Sequence, residues 1–392
     1  MTDLECAFDV TDVVVMDTGS GFLKVGFSGE DAPRAVFPTC RAVLQNDEAK
    51  DDEVSHAGDG SGLKSQSFFG QEAIRAEADG AQLTWPMERG VVPEDQQDTM
   101  VQVWEHALKS ILQGELDDLP ILLCDKPGTH IKDRMWMVEV MFENFKVRSL
   151  SIFNTGVSAL FSTGKTRGLM VESGEGCTHS VPIFEGYAIP HATFPVAVAG
   201  QDITTALQSS MVERQCPYTM YHTMQAMKEK LCSVAHNFEQ QISEPDKADE
   251  ESKSFELPDG TIIQVPHDIR LSAPEILFQG EASLPIQCKL SLQTCDQWFR
   301  EDLLPNIFIA GGSSMLPGLA PRLKTELLSL LPSDYGRQIA IHADSQRKYG
   351  AWIGGSMFAS LSTFEQVVIT RNDFDERGPD PGCRSLVARK TF

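Results

Sequence analysis

Val13 to Asp17 is an apolar run that stops at an acid. Thr18-Gly19-Ser20-Gly21 follows, and apolar positions resume from Phe22 to Phe27 at alternate or adjacent sites. Two short apolar runs around a glycine turn predict a β-hairpin. The same order returns roughly half a chain later. Gly168 to Glu172 is an apolar strand ending in an acid, Ser173-Gly174-Glu175-Gly176 follows, and a second strand starts at Thr178. A unit of strand, acid, x-Gly-x-Gly and strand that occurs twice predicts two related domains facing each other. Helical spacing is clear from Gln96 to Leu112, where Met100, Val103, Trp104, Ala107, Leu108 and Ile111 share one face, and it recurs from Ile131 to Phe145. Asp202–Val212 and Tyr218–Val234 also read as helices. Asn306–Ala310 reads as a strand entering Gly311-Gly312-Ser313-Ser314, ahead of a helix from Leu319 to Leu331. Lys348–Leu361 carries Trp352-Ile353-Gly354-Gly355, small residues that let another backbone approach. Asn46–Ser67, acidic and glycine-rich, and Asn237–Lys253, polar and charged, read as exposed loops.

The chain has 392 residues, 41% of them hydrophobic, enough for two or three domains of α/β type. No apolar run reaches the ~18 residues of a membrane span. Met1–Asp12 is acidic and lacks the order of a signal peptide, so a soluble, unsecreted protein is expected. The nine cysteines are scattered and none forms a Cys-x-x-Cys pair. That suits free thiols in a reducing compartment. A net charge of −23 argues against direct contact with nucleic acid; it fits basic protein partners or plain solubility.

Each turn carries candidate chemistry. In the first, glycines let backbone N–H groups point at an anion, Ser20 adds a hydroxyl, and Lys24 can reach β- and γ-phosphate oxygens. Asp17 suits a water-mediated anchor for Mg²⁺ or Ca²⁺. Alone, this reads better as an ordinary acidic hairpin. With Glu172, Gly174, Glu175 and Gly176 in the same arrangement, the pair predicts a clamp on phosphates. His179 suits either relay of a proton from an attacking water or a structural role. Gly311-Gly312-Ser313 suits an α-phosphate, ribose or base. Lys228 and Glu229 sit mid-helix, as ribose and base contacts or as a solvated face. There is no Walker A sequence, no Gly-x-Gly-x-x-Gly after a strand, no His-x-x-x-His pair and no nucleophile elbow.

Asp17-Thr18-Gly19-Ser20-Gly21-Phe22-Leu23-Lys24-Val25-Gly26-Phe27, continued by Asp31-Ala32-Pro33-Arg34-Ala35-Val36-Phe37-Pro38, resembles the first phosphate segment of the actin family. Thr178-His179-Ser180-Val181-Pro182 and its continuation to Ala192, Lys228-Glu229-Lys230-Leu231-Cys232, Glu256-Leu257-Pro258-Asp259-Gly260, Arg347-Lys348-Tyr349, Trp352-Ile353-Gly354-Gly355-Ser356 and Leu361-Ser362-Thr363-Phe364 extend the likeness in order along the chain. The resemblance implies an α/β actin-like ATPase fold. Two lobes, each a mixed β-sheet flanked by helices, would enclose a nucleotide cleft. It implies an outer lobe of residues 1–162 and 350–392 with an insertion at about 39–85, and an inner lobe of 163–349 with an insertion at about 199–285. It implies ATP or ADP with Mg²⁺ or Ca²⁺, held by the two turns, with Gly200, Lys228, Glu229, Gly311, Gly312, Ser313, Met315 and Lys348 towards the adenosine and Asp17 and Glu172 holding the metal through water.

The departures carry their own expectations. Thr155 stands where the family has a glutamine that aligns the attacking water, and Glu172 and Glu175 stand where it has aspartates. An added methylene moves a carboxylate by about 1.5 Å, enough to cost ~10²-fold in a positioned reaction. ATP binding with slow hydrolysis is expected. Asn46–Ser67 replaces the loop that plugs into the next subunit, Gly280–Gln287 is short, and Arg89 replaces a histidine behind the phosphates, so self-polymerisation is expected to be weak or absent. Phe161, Thr166, Tyr187, Phe358, Leu361 and Thr363 match the family's apolar partner cleft. The resulting expectation is a structural subunit of a fixed assembly, such as a dynein arm, a dynactin-like complex or a chromatin complex. It would reside in cytoplasm or cytoskeleton, or in nucleus or axoneme, without direct contact with nucleic acid or membrane. The alternative is a filament-forming actin with real ATPase turnover. Sugar kinases and heat-shock chaperones share the fold, but no segment argues for a sugar site.

Overall fold

A computed structural model describes residues 13–45, 65–111, 118–216, 219–243, 252–257, 259–336 and 338–377. Met1–Asp12, Leu112, Tyr218 and most of the expected acidic loop lie outside the described residues.

Both expected hairpins form, and each sits at the same place in its own sheet. Val14–Thr18 pairs antiparallel with Phe22–Phe27, Asp17 opposite Lys24, and parallel with Pro120–Asp125, Asp17 opposite Cys124. Gly168–Ser173 pairs antiparallel with Thr178–Phe184, Glu172 opposite His179, and parallel with Ile307–Ala310, Glu172 opposite Ala310. Each parallel neighbour is reached through intervening helices, as a parallel pair requires. The first sheet runs in the order 369–370, 149–154, 120–125, 14–18, 22–27, 35–38, and the second 187–188, 178–184, 168–173, 307–310, 341–342, with 194–196 beside 178–184. The repeat read in the turns therefore extends through both sheets.

Side-chain alternation divides the strands between cores. Val14, Met16, Ile121 and Leu123 face the helices Gln97–Ile111 and Ile131–Glu143, meeting Met100, Trp104, Val138 and Met141. On the opposite face, Val15 and Leu122 meet Val157, Leu160 and Trp352 from the helices Thr155–Phe161 and Gly350–Ala359. That same core receives Met170, Val181, Phe308 and Ala310 from the second sheet, so one helix pair joins the two halves. The pair is very close. A Cβ on Gly354 would fall 1.7 Å from the Ser158 carbonyl oxygen, which explains the small residues of this helix. Leu169, Val171, Ile307 and Ile309 turn the other way into a third core with the helices Gly200–Glu213 and Leu319–Leu330.

Two loop expectations are corrected. Ser65–Phe69, overlapping the end of the acidic stretch, is a strand paired with Arg41–Gln45 in a small sheet completed by Gln82–Thr84. The backbone of Arg41–Gln45 takes Ser65–Ser67 as its ladder partner despite their polar side chains. Phe238–Ser243 is a short helix within the expected loop Asn237–Lys253; it buries no residue, so burial periodicity could not announce it. Among the described residues no helix is long and apolar enough to cross a membrane.

Candidate functional site

The two turns line one cavity of about 350 Å³ between the sheets, within the size range of small-molecule sites. Asp17, Gly19, Ser20, Gly21, Phe22 and Lys24 contribute one wall, and Glu172, Gly174, Glu175 and Gly176 the facing wall. The tips touch: a Cβ on Gly176 would fall 2.2 Å from Ser20 Oγ. Among the described residues, no acceptor faces the backbone N–H groups of Ser20, Gly21, Glu175 or Gly176. Each turn therefore presents two adjacent donors, the arrangement that binds anions.

The acids differ in their partners. Asp17 is buried and accepts from Lys24 Nζ at 2.7 Å. Glu172 accepts from the Thr155 hydroxyl at 2.5 Å. Burial pushes the Glu172 carboxyl up to about 7; the Thr155 hydrogen bond works against this, the nearby Asp17 charge adds to it, and Lys24 partly offsets that charge. Glu175 is held by Lys228 Nζ at 2.7 Å and by the Tyr221 hydroxyl at 2.6 Å.

Further along, Gly311, Gly312, Ser313 and Met315 line the same cavity, with Glu229 and Lys348. Gly311 has φ +90°, and a Cβ there would fall 2.3 Å from the Ser173 carbonyl oxygen, so only glycine lets this turn abut the second hairpin. Ser313 Oγ donates to the Gly174 carbonyl at 2.8 Å and locks the two turns together. Lys348 Nζ lies 3.7 Å from Glu229 and 5.2 Å from the Phe22 ring centre.

Three predicted residues stand elsewhere. His179 is buried and does not line the cavity. As the cross-strand partner of Glu172 it is one strand further back. Burial first, and then the Lys126 charge, push its pKa down to about 4, so the imidazole is neutral near pH 7. Gly200 supports the wall from behind. Its carbonyl accepts from Lys228 at 2.9 Å, and its amide donates to the Gly174 carbonyl at 2.9 Å. Arg89 does not line the cavity, but its Cα packs against the second turn, where a Cβ on Gly176 would fall 3.1 Å from it. Its guanidinium reaches Asp202, with contacts of 2.7 and 3.2 Å, in a neighbouring cavity that shares Ser20, Gly21 and Glu175 with the first.

Among the predicted cleft residues, Phe358 stacks on Phe153 with ring centres 4.2 Å apart and meets the edge of Phe161 at 6.3 Å. Tyr187 and Leu361 are 61% and 42% exposed. The Gly186 amide donates to the Thr166 carbonyl at the base of the Tyr187 turn, and Thr363 is exposed before the short helix Phe364–Gln366.

Several site residues were missed in the sequence. Asp125, buried, accepts from Thr129 Oγ1 and Arg134 Nε, both at 2.7 Å, and lines the cavity. Burial raises its pKa while Arg134 and Thr129 hold it down. Its signal was present, because Ile121-Leu122-Leu123-Cys124-Asp125 is a third apolar strand ending in an acid. Trp104 Nε1 donates to Thr18 Oγ1 at 3.0 Å and Lys126 also lines the cavity; neither carries a local motif.

Paired donor turns, a buried ion pair, a carboxyl pushed up by burial and a glycine-walled third turn line one cavity. Against known protein families, a model of actin matches residues 8–222 and 216–392, which together span nearly all of the residues that build both sheets and the cavity. The chain belongs to the actin family.

Proposed function

We propose that this protein binds ATP or ADP with Mg²⁺ or Ca²⁺ in the cavity, hydrolyses ATP slowly, and serves as a structural subunit of a larger assembly with weak or no self-polymerisation. Four hairpin amides with no acceptor among the described residues, together with Lys24 and Lys228, fit a run of phosphates. Among the described residues no cluster of three His, Cys, Asp or Glu side chains is arranged to ligate a metal. A divalent ion would therefore rest on phosphate oxygens and water, with Asp17 and Glu172 orienting that water. The bound cation supplies charge neutralisation at the phosphates.

The observation that carries slow hydrolysis is the 2.5 Å bond from Thr155 to Glu172. A threonine has one hydroxyl proton, and here it is committed to the carboxylate. No carboxamide reaches from position 155 to orient a water. His179 is neutral but does not line the cavity, so its imidazole is not placed to take a proton from a water there. The exposed Leu361, whose amide donates to the Phe358 carbonyl, and the exposed Tyr187 support capture of a partner's apolar helix in the cleft.

The test is a single-turnover measurement on purified protein. Expected are Mg²⁺-dependent binding of a fluorescent ATP analogue and phosphate release slower than conventional actin's. The protein should also stay in the supernatant in polymerising salt. Failure to bind nucleotide defeats the whole reading. Release at conventional actin's rate defeats the hydrolysis part, and a pelleting filament of this chain alone defeats the assembly part. Phe358→Asp should abolish partner capture while leaving nucleotide binding intact.

A further inference from the structure

Four lysines line the cavity, and three are already neutralised. Lys24 pairs with Asp17 and Lys228 with Glu175, each at 2.7 Å, and Lys348 lies 3.7 Å from Glu229. Among the described residues Lys126 alone of the four has no carboxylate within ion-pair distance and no hydrogen bond from its ammonium. It follows the strand Pro120–Asp125, and its half-buried side chain crosses the face of Gly90. A Cβ on Gly90 would fall 2.5 Å from Lys126 Cδ, 3.1 Å from its Cε and 3.4 Å from Cys177 Sγ. The lysine stem thus passes Gly90 together with Cys177, which follows the second turn and lines the cavity with Lys126. Gly90 itself donates to Ser20 Oγ at 3.0 Å, so the residue that clears the lysine's path is also tied to the first turn. The charge acts inward: it helps drive the proton from His179 and favours the ionised form of Asp125.

We propose that Lys126 is a phosphate ligand, an ammonium held where the two turns converge to bind the terminal phosphoryl group of a nucleoside triphosphate. An uncompensated ammonium in a partly buried cavity is unfavourable by itself and gains most from an anion of high charge. The neighbouring turns supply donors to the same group. A diphosphate, lacking the terminal group, would leave Lys126 unsatisfied. The protein therefore discriminates triphosphate from diphosphate through a residue outside both turns. This rests on the nucleotide reading above.

The experiment compares a β,γ-imido ATP analogue with ADP, both with Mg²⁺, on wild type, Lys126→Met and Lys126→Arg. Lys126→Met keeps the apolar stem and removes the charge. It should weaken the triphosphate analogue about tenfold and ADP less than about twofold. Lys126→Arg should retain most of the preference. The ratio of the two affinities is read on one folded population, so a partial folding defect does not alter it. Equal losses for both nucleotides, or no loss for the triphosphate, would overturn the assignment while leaving the cavity a nucleotide site. Wild type binding neither nucleotide would overturn the site itself and this assignment with it.

Discussion

The two hairpins share a sequence pattern and a place in their sheets, yet they hold their acids in opposite ways. Asp17 faces a lysine on its own hairpin, across the ladder, and stands as half of a buried ion pair. Glu172 faces a neutral histidine across its ladder and takes its hydrogen bond from Thr155, on a helix that joins the two halves. The first turn carries an ion pair, whereas burial pushes the second turn's carboxyl up to about 7. A repeated fold does not enforce repeated electrostatics. Burial comes first in pushing the Glu172 carboxyl up, and the residue across its ladder is a histidine where Asp17 has a lysine.

The largest expected effect separates the two. Lys24→Met leaves Asp17 buried without its cation and should cost about 3–5 kcal/mol in denaturant unfolding of the nucleotide-free protein. Thr155→Val removes only a hydrogen bond to a group that can take up a proton, and should cost about 1–2 kcal/mol. Equal losses would mean that the hairpins are electrostatically alike after all. Next is the reaction rate. Thr155→Gln with Glu172→Asp restores the carboxamide and the shorter acid, and should raise single-turnover phosphate release by up to about 10²-fold. An unchanged rate would show that the second hairpin does not limit hydrolysis.

The hairpins were legible because their determinants are local: an apolar run, a terminal acid and a glycine turn lie within about ten residues. The sheets followed from them, since a buried strand needs neighbours. The electrostatic difference was not legible. Glu175 draws its partners Tyr221 and Lys228 from 46 and 53 residues away, and no local spacing encodes such a meeting. His179 follows its turn closely enough to look catalytic, but the register opposite Glu172 sets it behind the wall. Arg89 could be matched to a position in the family but not aimed, because its direction depends on Asp202, 113 residues on. Lys126 had no motif, and its place depends on a glycine 36 positions earlier leaving its path clear.

A smaller effect is the pH profile of stability. Glu172 titrates near 7 when folded against 4.5 as its ordinary value. Between those values the folded chain holds a proton that the unfolded chain has lost, so its contribution falls as pH rises. His179 titrates near 4 against 6.5. Between those values the unfolded chain holds the extra proton, so stability rises with pH. The two slopes oppose each other from about 4.5 to 6.5. In Glu172→Gln the histidine slope stands alone. The melting temperature of the variant minus that of wild type should therefore climb from pH 4.5 to 7, by the order of 2 °C per pH unit, and level off above. All other titrating groups cancel in that difference. A flat difference would place Glu172 at an ordinary carboxyl value and erase the contrast with Asp17.

The smallest effect concerns what holds the two walls together. In the neighbouring cavity Arg89 reaches Asp202, whose carboxylate also accepts from the Ala199 amide at 2.8 Å and so is fixed at the start of the helix Gly200–Glu213. Arg89 has φ +47°, a left-handed backbone unusual for a side-chain-bearing residue. The Arg89 side chain is 54% exposed, which limits the ion pair to under about 1 kcal/mol. Its removal should barely change stability yet shift the balance between closed and open clefts. Arg89→Ala should speed release of bound nucleotide by about fivefold or less, the factor that this energy allows. Arg89→Gly removes the same contact and also relieves the left-handed backbone. It should release nucleotide as fast as the alanine variant while melting higher. If both variants exchange nucleotide at the wild-type rate, the walls are held by the shared helix pair and the locked turns alone. The two hairpins would then differ in charge and not in freedom to separate.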